Sequence, residues 1–202
     1  MTLLYRHAIV LAAGSGSRLG RGPKALLPWN HEVLVTRVAR VAALAGCSVT
    51  VAVGPEAGTI RRWLRARSPS ASTVYVRDAS LGMSASLRAA VRHLASAPAR
   101  PHVVVVLLVD QPGVDETVVS RLLAAHRPGR ATRASWRGIP GTPVVFDTAD
   151  LLAAAAIAHG DSGARTWMSR HPHLVDDVEC ADLGSGADVD TPGDLAAWPQ
   201  LG

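Results

Sequence analysis

Ala8-Ile9-Val10-Leu11-Ala12-Ala13-Gly14-Ser15-Gly16-Ser17-Arg18-Leu19-Gly20-Arg21-Gly22-Pro23-Lys24 is the stretch from which the architecture can be read. Ala8 to Ala13 is an unbroken apolar run. A strand that alternated apolar and polar residues would bury one face; this one is expected to bury both, as the strands of a parallel sheet do under two helical layers. The run ends in a glycine-rich loop. Such a loop exposes backbone N–H groups to an anion, and a lysine at its end adds a mobile point charge. Lys24 is the only lysine in a chain with 21 basic residues. Gly14 to Lys24 spans eleven of 202 positions, so a lysine placed at random would fall there about one time in twenty.

Downstream, the same alternation of buried strand and amphipathic helix recurs. Val33, Leu34, Val38, Val41, Ala42 and Ala45 repeat at helical spacing up to Gly46, a C-terminal stop. Val49 to Val53 reads as a second strand, Glu56 to Ala66 as a helix, Thr73 to Arg77 as a short strand and Met83 to Ala95 as a helix. Val103 to Val109, seven apolar residues of which five are valine, is the strongest strand and is expected at the centre of the sheet. Pro143 to Phe146 reads as a strand, Leu151 to His159 and Gly160 to Arg170 as helices, and Leu174 to Val178 as an outer strand. Strands alternating with helices predict an α/β fold with a mostly parallel sheet. A length of 202 residues predicts one domain over 1–202.

Composition narrows the class. The basic residues form no stripe with interleaved aromatics, so no nucleic-acid partner is expected. Arg61, Arg62, Arg65 and Arg67 read as the solvated face of a helix, and a net charge of +5 fits an acidic small-molecule partner better. Cys47 and Cys180 have neither disulfide nor metal-ligand spacing. Arg6 and His7 interrupt the apolar start, and no apolar run approaches the roughly 20 residues a bilayer crossing needs. A cytoplasmic protein without membrane attachment is the expectation.

In an open parallel sheet, ligands bind beyond the carboxyl ends of the strands. Two motifs fall there: the Gly14 to Lys24 loop and Asp110-Gln111-Pro112-Gly113 after the valine-rich strand. The first lacks the Ser or Thr after lysine of a Walker loop, and Leu19 stands where a dinucleotide fingerprint needs its third glycine. What remains, Ser15 and Gly16 as backbone donors with Arg18 and Lys24, suits a triphosphate. Asp188-Val189-Asp190-Thr191-Pro192 is a second acidic turn, and a Mg²⁺ ion commonly takes one or two carboxylates together with substrate phosphates. Asp110 and Asp190 read equally well as helix caps. Asp161 and Arg165 are spaced as an ion pair along a helix, and Trp29 could wall a pocket or pack in the core.

Leu11-Ala12-Ala13-Gly14-x-Gly16-x-Arg18-x-Gly20 followed by Pro23-Lys24 resembles the signature of the nucleoside-triphosphate transferases of the molybdenum-cofactor type. Similar blocks follow at Gly82 to Ala90, Val109 to Pro112, Gly138 to Val144, Gly160 to Arg165 and Asp188 to Pro192. The resemblance implies a Rossmann-like three-layer nucleotidyltransferase fold and Mg²⁺-dependent nucleotidyl transfer with release of pyrophosphate. It implies that Leu11, Ala12, Ala13 and Gly14 face the nucleotide, that Gly82 and Ser86 form a base-binding turn, and that Asp110 and Asp190 hold the metal. Arg18, Lys24 and Asp110 would be catalytic. Alanine at position 13 is similar to the cytidylyl-transferring branch, which implies CTP as donor, the terminal phosphate of molybdenum-bearing molybdopterin as acceptor, and a molybdoenzyme or chaperone as partner. Thr142 departs from the histidine of many relatives, and Arg21-Gly22 lengthens the approach to Lys24. Relatives with Gly-Pro-Lys-Ala-Leu, as at Gly22 to Leu26, are also labelled nicotine blue oxidoreductases. That redox class, a sugar-phosphate nucleotidyltransferase and a non-catalytic cofactor carrier are the alternatives.

Overall fold

The computed structural model describes residues 5–17 and 19–201. Its strands are β1 (Arg6–Ala12), β2 (Pro28–Trp29), β3 (Glu32–Val33), β4 (Ser48–Val53), β5 (Ser72–Tyr75), β6 (Val103–Leu108), β7 (Ala131–Trp136), β8 (Ile139–Asp147) and β9 (Val175–Glu179). The α-helices are α1 (Leu34–Leu44), α2 (Ala57–Arg67), α3 (Met83–Ala95), α4 (Glu116–Ala125), α5 (Thr148–Ile157) and α6 (Arg165–Arg170). Seven strands form one sheet in the order β5-β4-β1-β6-β8-β7-β9. β5, β4, β1 and β6 pair in parallel, β8 runs antiparallel to both its neighbours, and β9 returns to the common direction beside β7. The mostly parallel α/β sheet expected from the sequence is present, with β6 in its middle.

The unbroken apolar strands are explained by the two layers that cover them. Along β1, Ala8, Val10 and Ala12 enter one core with α1, α2 and α4, while Ile9 and Leu11 enter a second core with α3, α5 and α6. β6 divides in the same way, Val103, Val105 and Leu107 to the first core and Val104 and Val106 to the second. With period-2 alternation and helices on both sides, Ala8 to Ala12 of β1 and Val103 to Leu107 of β6 are apolar on both faces.

The second half departs from the sequence reading in detail. Arg137 at φ 56° and Gly138 at φ 78° make the two-residue turn of a β7–β8 hairpin, which sets β8 against the parallel direction. β7 shows no apolar pattern in the sequence because Thr132, Arg133 and Ser135 interrupt it, and neither α4 nor the β2–β3 pair is among the elements expected from the sequence. The helix expected from Gly160 to Arg170 is divided. Gly163 takes φ 51°, leaving a single tight turn at Gly160–Ser162 before α6. Trp29 lies 6.0 Å from Trp198 and under the Arg37 guanidinium, so it packs the C-terminal turns onto α1 rather than walling a cleft. Both cysteines are buried and free, and burial raises the Cys47 thiol to about 11. Among the described residues no helix is long and apolar enough to cross a membrane.

His7 carries a pH signature. It is 5% exposed, its Nε2 lies 2.9 Å from Thr50 Oγ1, and burial, assisted by His93, pushes the imidazole down to about 4. Between the unfolded value near 6.5 and the folded value near 4, the unfolded chain binds a proton that the folded chain refuses. Stability therefore falls as pH drops through that window, by on the order of 3 kcal/mol at its foot. In denaturant titrations between pH 7 and 4, His7→Gln should lose stability less steeply than the wild type. Equal slopes would show that His7 does not carry this acid sensitivity.

Candidate functional site

The carboxyl ends of β1 and β6 open into one cleft of about 650 Å³. Its floor is the loop after β1. Gly16 has φ 66°, and a Cβ there would come 2.1 Å from the Gly22 carbonyl oxygen, so the loop can close on itself only with glycine at this position. Leu19, buried, anchors the loop from below and donates its N–H to Gly16 O. The chain then turns through Pro23 into a single 3₁₀ turn that starts at Lys24.

Lys24 projects between two carboxylates. Its Nζ is 2.6 Å from Asp110 Oδ2 and also donates to Asp190 Oδ1. Burial works to lower the lysine pKa, but Asp110 and Asp190 outweigh it and hold the ammonium above its ordinary value. The three residues come from separate parts of the chain, and the backbone explains their meeting. Asp110 follows β6, and its carbonyl accepts the N–H of Val189 at 2.9 Å, which fixes the acidic segment beside it. Val189 is fully buried, and the two carboxylates that flank it, Asp188 and Asp190, both line the cleft.

Neither aspartate acts as a helix cap. Asp115 caps α4, accepting N–H groups of Thr117 at 3.0 Å and Val118 at 3.1 Å, and Asp194 accepts those of Asp190 and Thr191. Asp110 and Asp190 are thereby left to the cleft. Asp188 joins them as a third carboxylate. Burial first, then Asp110 and Asp190, raise its pKa, while the Gln111 amide draws it down. The spacing Asp-x-Asp around a buried valine is the signal that could have identified it.

The opposite wall is the start of α3. Gly82 has φ 89°, and a Cβ there would lie 2.4 Å from Asp161 Oδ1 and 2.7 Å from the Gly160 carbonyl carbon. This close approach lets Asp161 accept the Met83 N–H at 3.1 Å. Asp161 is thus spent on α3 rather than on the expected pair with Arg165, which lines the cleft beside it. Leu11, Ala13, Gly14, Ser15, Gly16, Gly82, Ser86, Lys24, Asp110 and Asp190 all line the same cavity. Ala12 does not: strand alternation turns it to the other face, toward Pro23, Gly54 and Ile60. Arg18 lies outside the described residues. Among the described residues no three His, Cys, Asp or Glu side chains surround a single metal position.

A mostly parallel sheet whose strand ends gather a glycine loop, a lysine and paired carboxylates defines an α/β protein of the nucleotidyltransferase type. The chain belongs to the MobA-like NTP transferase domain family, whose model matches residues 8–175. It is 40% identical over 191 residues to the nicotine blue oxidoreductase of Paenarthrobacter nicotinovorans, covering 91% of each chain. A nucleotidyl transferase from Methanothermobacter thermautotroptrophicus superposes with a TM-score of 0.80 at 21% identity, covering 98% of this chain and 97% of that one. A Mycobacterium sp. strain JC1 homologue of the Mycobacterium tuberculosis protein Rv0371c gives a TM-score of 0.80 at 28% identity, covering 95% and 93%.

Removing the ammonium takes the cation from the partly buried Asp110 carboxylate and one contact from Asp190. Lys24→Met is expected to cost roughly 1–3 kcal/mol of stability. Adding Asp110→Asn should recover part of that loss, because one uncompensated charge goes with it. Chemical denaturation of the two variants checks this; an additive, larger loss in the double variant would contradict it.

Proposed function

We propose that the protein transfers a nucleotidyl group from a nucleoside triphosphate, CTP by preference, to the phosphate of molybdenum-bearing molybdopterin, releasing pyrophosphate in the cytoplasm. The single observation that carries this reading is the Lys24 ammonium held by Asp110 and Asp190 on the wall of a cleft floored by a glycine loop. Ala13, lining that cleft in the position similar to the cytidylyl-transferring branch, supports CTP.

The residues fit a divalent cation. A cation already sits on Asp110 and Asp190 in the form of the lysine ammonium, and the donors are hard carboxylate oxygens. Two carboxylates leave the remaining positions to water and phosphate, as Mg²⁺ prefers. When bound, Mg²⁺ would supply positive charge to the phosphate oxygens and orient them.

The chain's own groups would act chiefly by placement. An acceptor phosphate oxygen forms the new bond to the α-phosphorus, the bond to the β-phosphate bridge breaks, and pyrophosphate leaves with the electron pair. A phosphate nucleophile is already ionised near neutral pH, so no general base is demanded. The backbone N–H groups of Ser15 and Gly16 would cradle the triphosphate, with Lys24 and Arg18 neutralising the charge that gathers on the leaving group. Gly82 and Ser86 would meet the base.

The name of the 40% identical relative supports a second reading, a nicotine-blue-type oxidoreductase. One assay separates the two. Pyrophosphate release from CTP, GTP, ATP and UTP with a molybdopterin acceptor should be greatest with CTP and should stop when Mg²⁺ is chelated. Lys24→Ala should lower kcat/KM by about 2–4 kcal/mol, roughly 30- to 1,000-fold. Reduction of nicotine blue at the expense of NADH or NADPH, and no pyrophosphate from any triphosphate, would replace this reading with the oxidoreductase.

A further inference from the structure

Between β9 and the turn at Asp194 the chain has no helix or strand, yet this stretch carries both Asp188 and Asp190 into the cleft. Something other than secondary structure must hold it. Two backbone bonds contribute, Val189 N to Asp110 O at 2.9 Å and Ser185 N to Gly113 O at 3.3 Å. Side chains supply the rest: Lys24 donates to Asp190, Asp194 Oδ2 accepts the N–H groups of Asp190 and Thr191, Arg121 pairs with Asp182, and Gln111, which is 4% exposed, holds the middle of the stretch at Gly186 and Asp188.

The Gln111 side chain makes three hydrogen bonds of ordinary length. Gln111 Nε2 donates to Gly186 O and to Asp188 Oδ1, each at 2.9 Å, and Oε1 accepts from Thr142 Oγ1 at 2.7 Å. The orientation of the amide is not arbitrary. A backbone carbonyl and a carboxylate only accept, so the nitrogen end must face the acidic segment, and the Thr142 hydroxyl must donate to the oxygen end. The polarity of the chain Thr142 → Gln111 → Asp188 follows. Its far end is fixed as well, because Trp136 Nε1 donates to Thr142 O at 3.1 Å and packs directly on Gly186, where a Cβ would come 2.0 Å from that nitrogen. Among the described residues, Gln111 supplies the only hydrogen bond to the Asp188 carboxylate.

We propose that Gln111 is a positioning residue for nucleotidyl transfer, an amide clamp that ties β8 at Thr142 to the acidic segment and so sets where Asp188 and Asp190 stand. This rests on the reading of Asp110 and Asp190 as holders of the divalent cation, and it adds the residue that places them. Thr142 stands at the departure from the histidine of many relatives, so the clamp also links that segment of β8 to the carboxylates. Because the amide donates to two acceptors, replacement by a carboxylate of the same length is worse than replacement by an apolar side chain of the same length. Thr142→Val separates a clamp from a filler, because it removes the hydroxyl that holds the amide oxygen and leaves the side chain at position 111 in place.

The full-length protein with Gln111→Met, Gln111→Glu or Thr142→Val tests this by two measurements, amide exchange of residues 184–190 and Mn²⁺ binding with CTP followed by electron paramagnetic resonance. Gln111→Met is expected to speed exchange in 184–190 at least tenfold while β1 exchanges as in the wild type, and to weaken Mn²⁺ at least tenfold. Gln111→Glu should exceed it in both, and Thr142→Val should fall between wild type and Gln111→Met. Wild-type exchange in Gln111→Met, or equal effects of Met and Glu, overturns the proposal. Faster exchange in the expected order, with no Mn²⁺ bound by the wild type in the presence of CTP, would uphold the clamp and overturn the metal reading instead.

Discussion

The ammonium of Lys24 between Asp110 and Asp190 is the interaction on which the site depends. Three partly buried charges of mixed sign are stable only together. Carboxylates brought this close without a cation would repel, and a lysine at this depth without them would lose its proton more readily. The glycine loop, the end of β6 and the C-terminal acidic segment are therefore mutually dependent, although 86 and 166 residues separate Lys24 from its two partners. The same arrangement provides a cation where phosphates would arrive and carboxylates where a divalent ion would arrive.

That triad can exist because the sheet beneath it is rigid and apolar. β1 and β6 are neighbours, buried under helices on both faces, and they end at the same level, so the loops that follow them meet. The ligand cleft at the carboxyl ends of parallel strands is the usual place for such chemistry. The far wall depends on Gly82, which lets the start of α3 approach Asp161 at a distance no side chain would permit.

β1 and β6 are legible because they are almost entirely apolar, and α1, α2 and α3 because they are amphipathic, patterns that locate elements within a residue or two, whereas the two-residue strands β2 and β3 are too short to show any. Lys24 stands out as the single lysine, at the end of a glycine loop, and Asp110 and the Asp188–Asp190 turn as two acidic turns that a Mg²⁺ ion could use, although Asp110 and Asp190 read equally well as helix caps. β7 was not legible because Arg133 is satisfied by pairing with Asp177 on β9, which no local pattern announces. Ala12 was assigned to the nucleotide by similarity of motif, yet the alternation of β1 turns it away from Leu11 and Ala13. The roles of Gln111, quoted within its motif, and of Asp161, read as a partner of Arg165, are hydrogen bonds to segments 75 and 78 residues distant, visible only once the chain is folded.

Calorimetric titration with CTP, with and without Mg²⁺, on the wild type and on Asp110→Asn tests the central claim most directly. Saturable one-to-one binding that strengthens with Mg²⁺ in the wild type, and loses that Mg²⁺ dependence in Asp110→Asn, is the predicted result. Absence of binding by any nucleoside triphosphate, or binding that ignores both Mg²⁺ and Asp110, would contradict it.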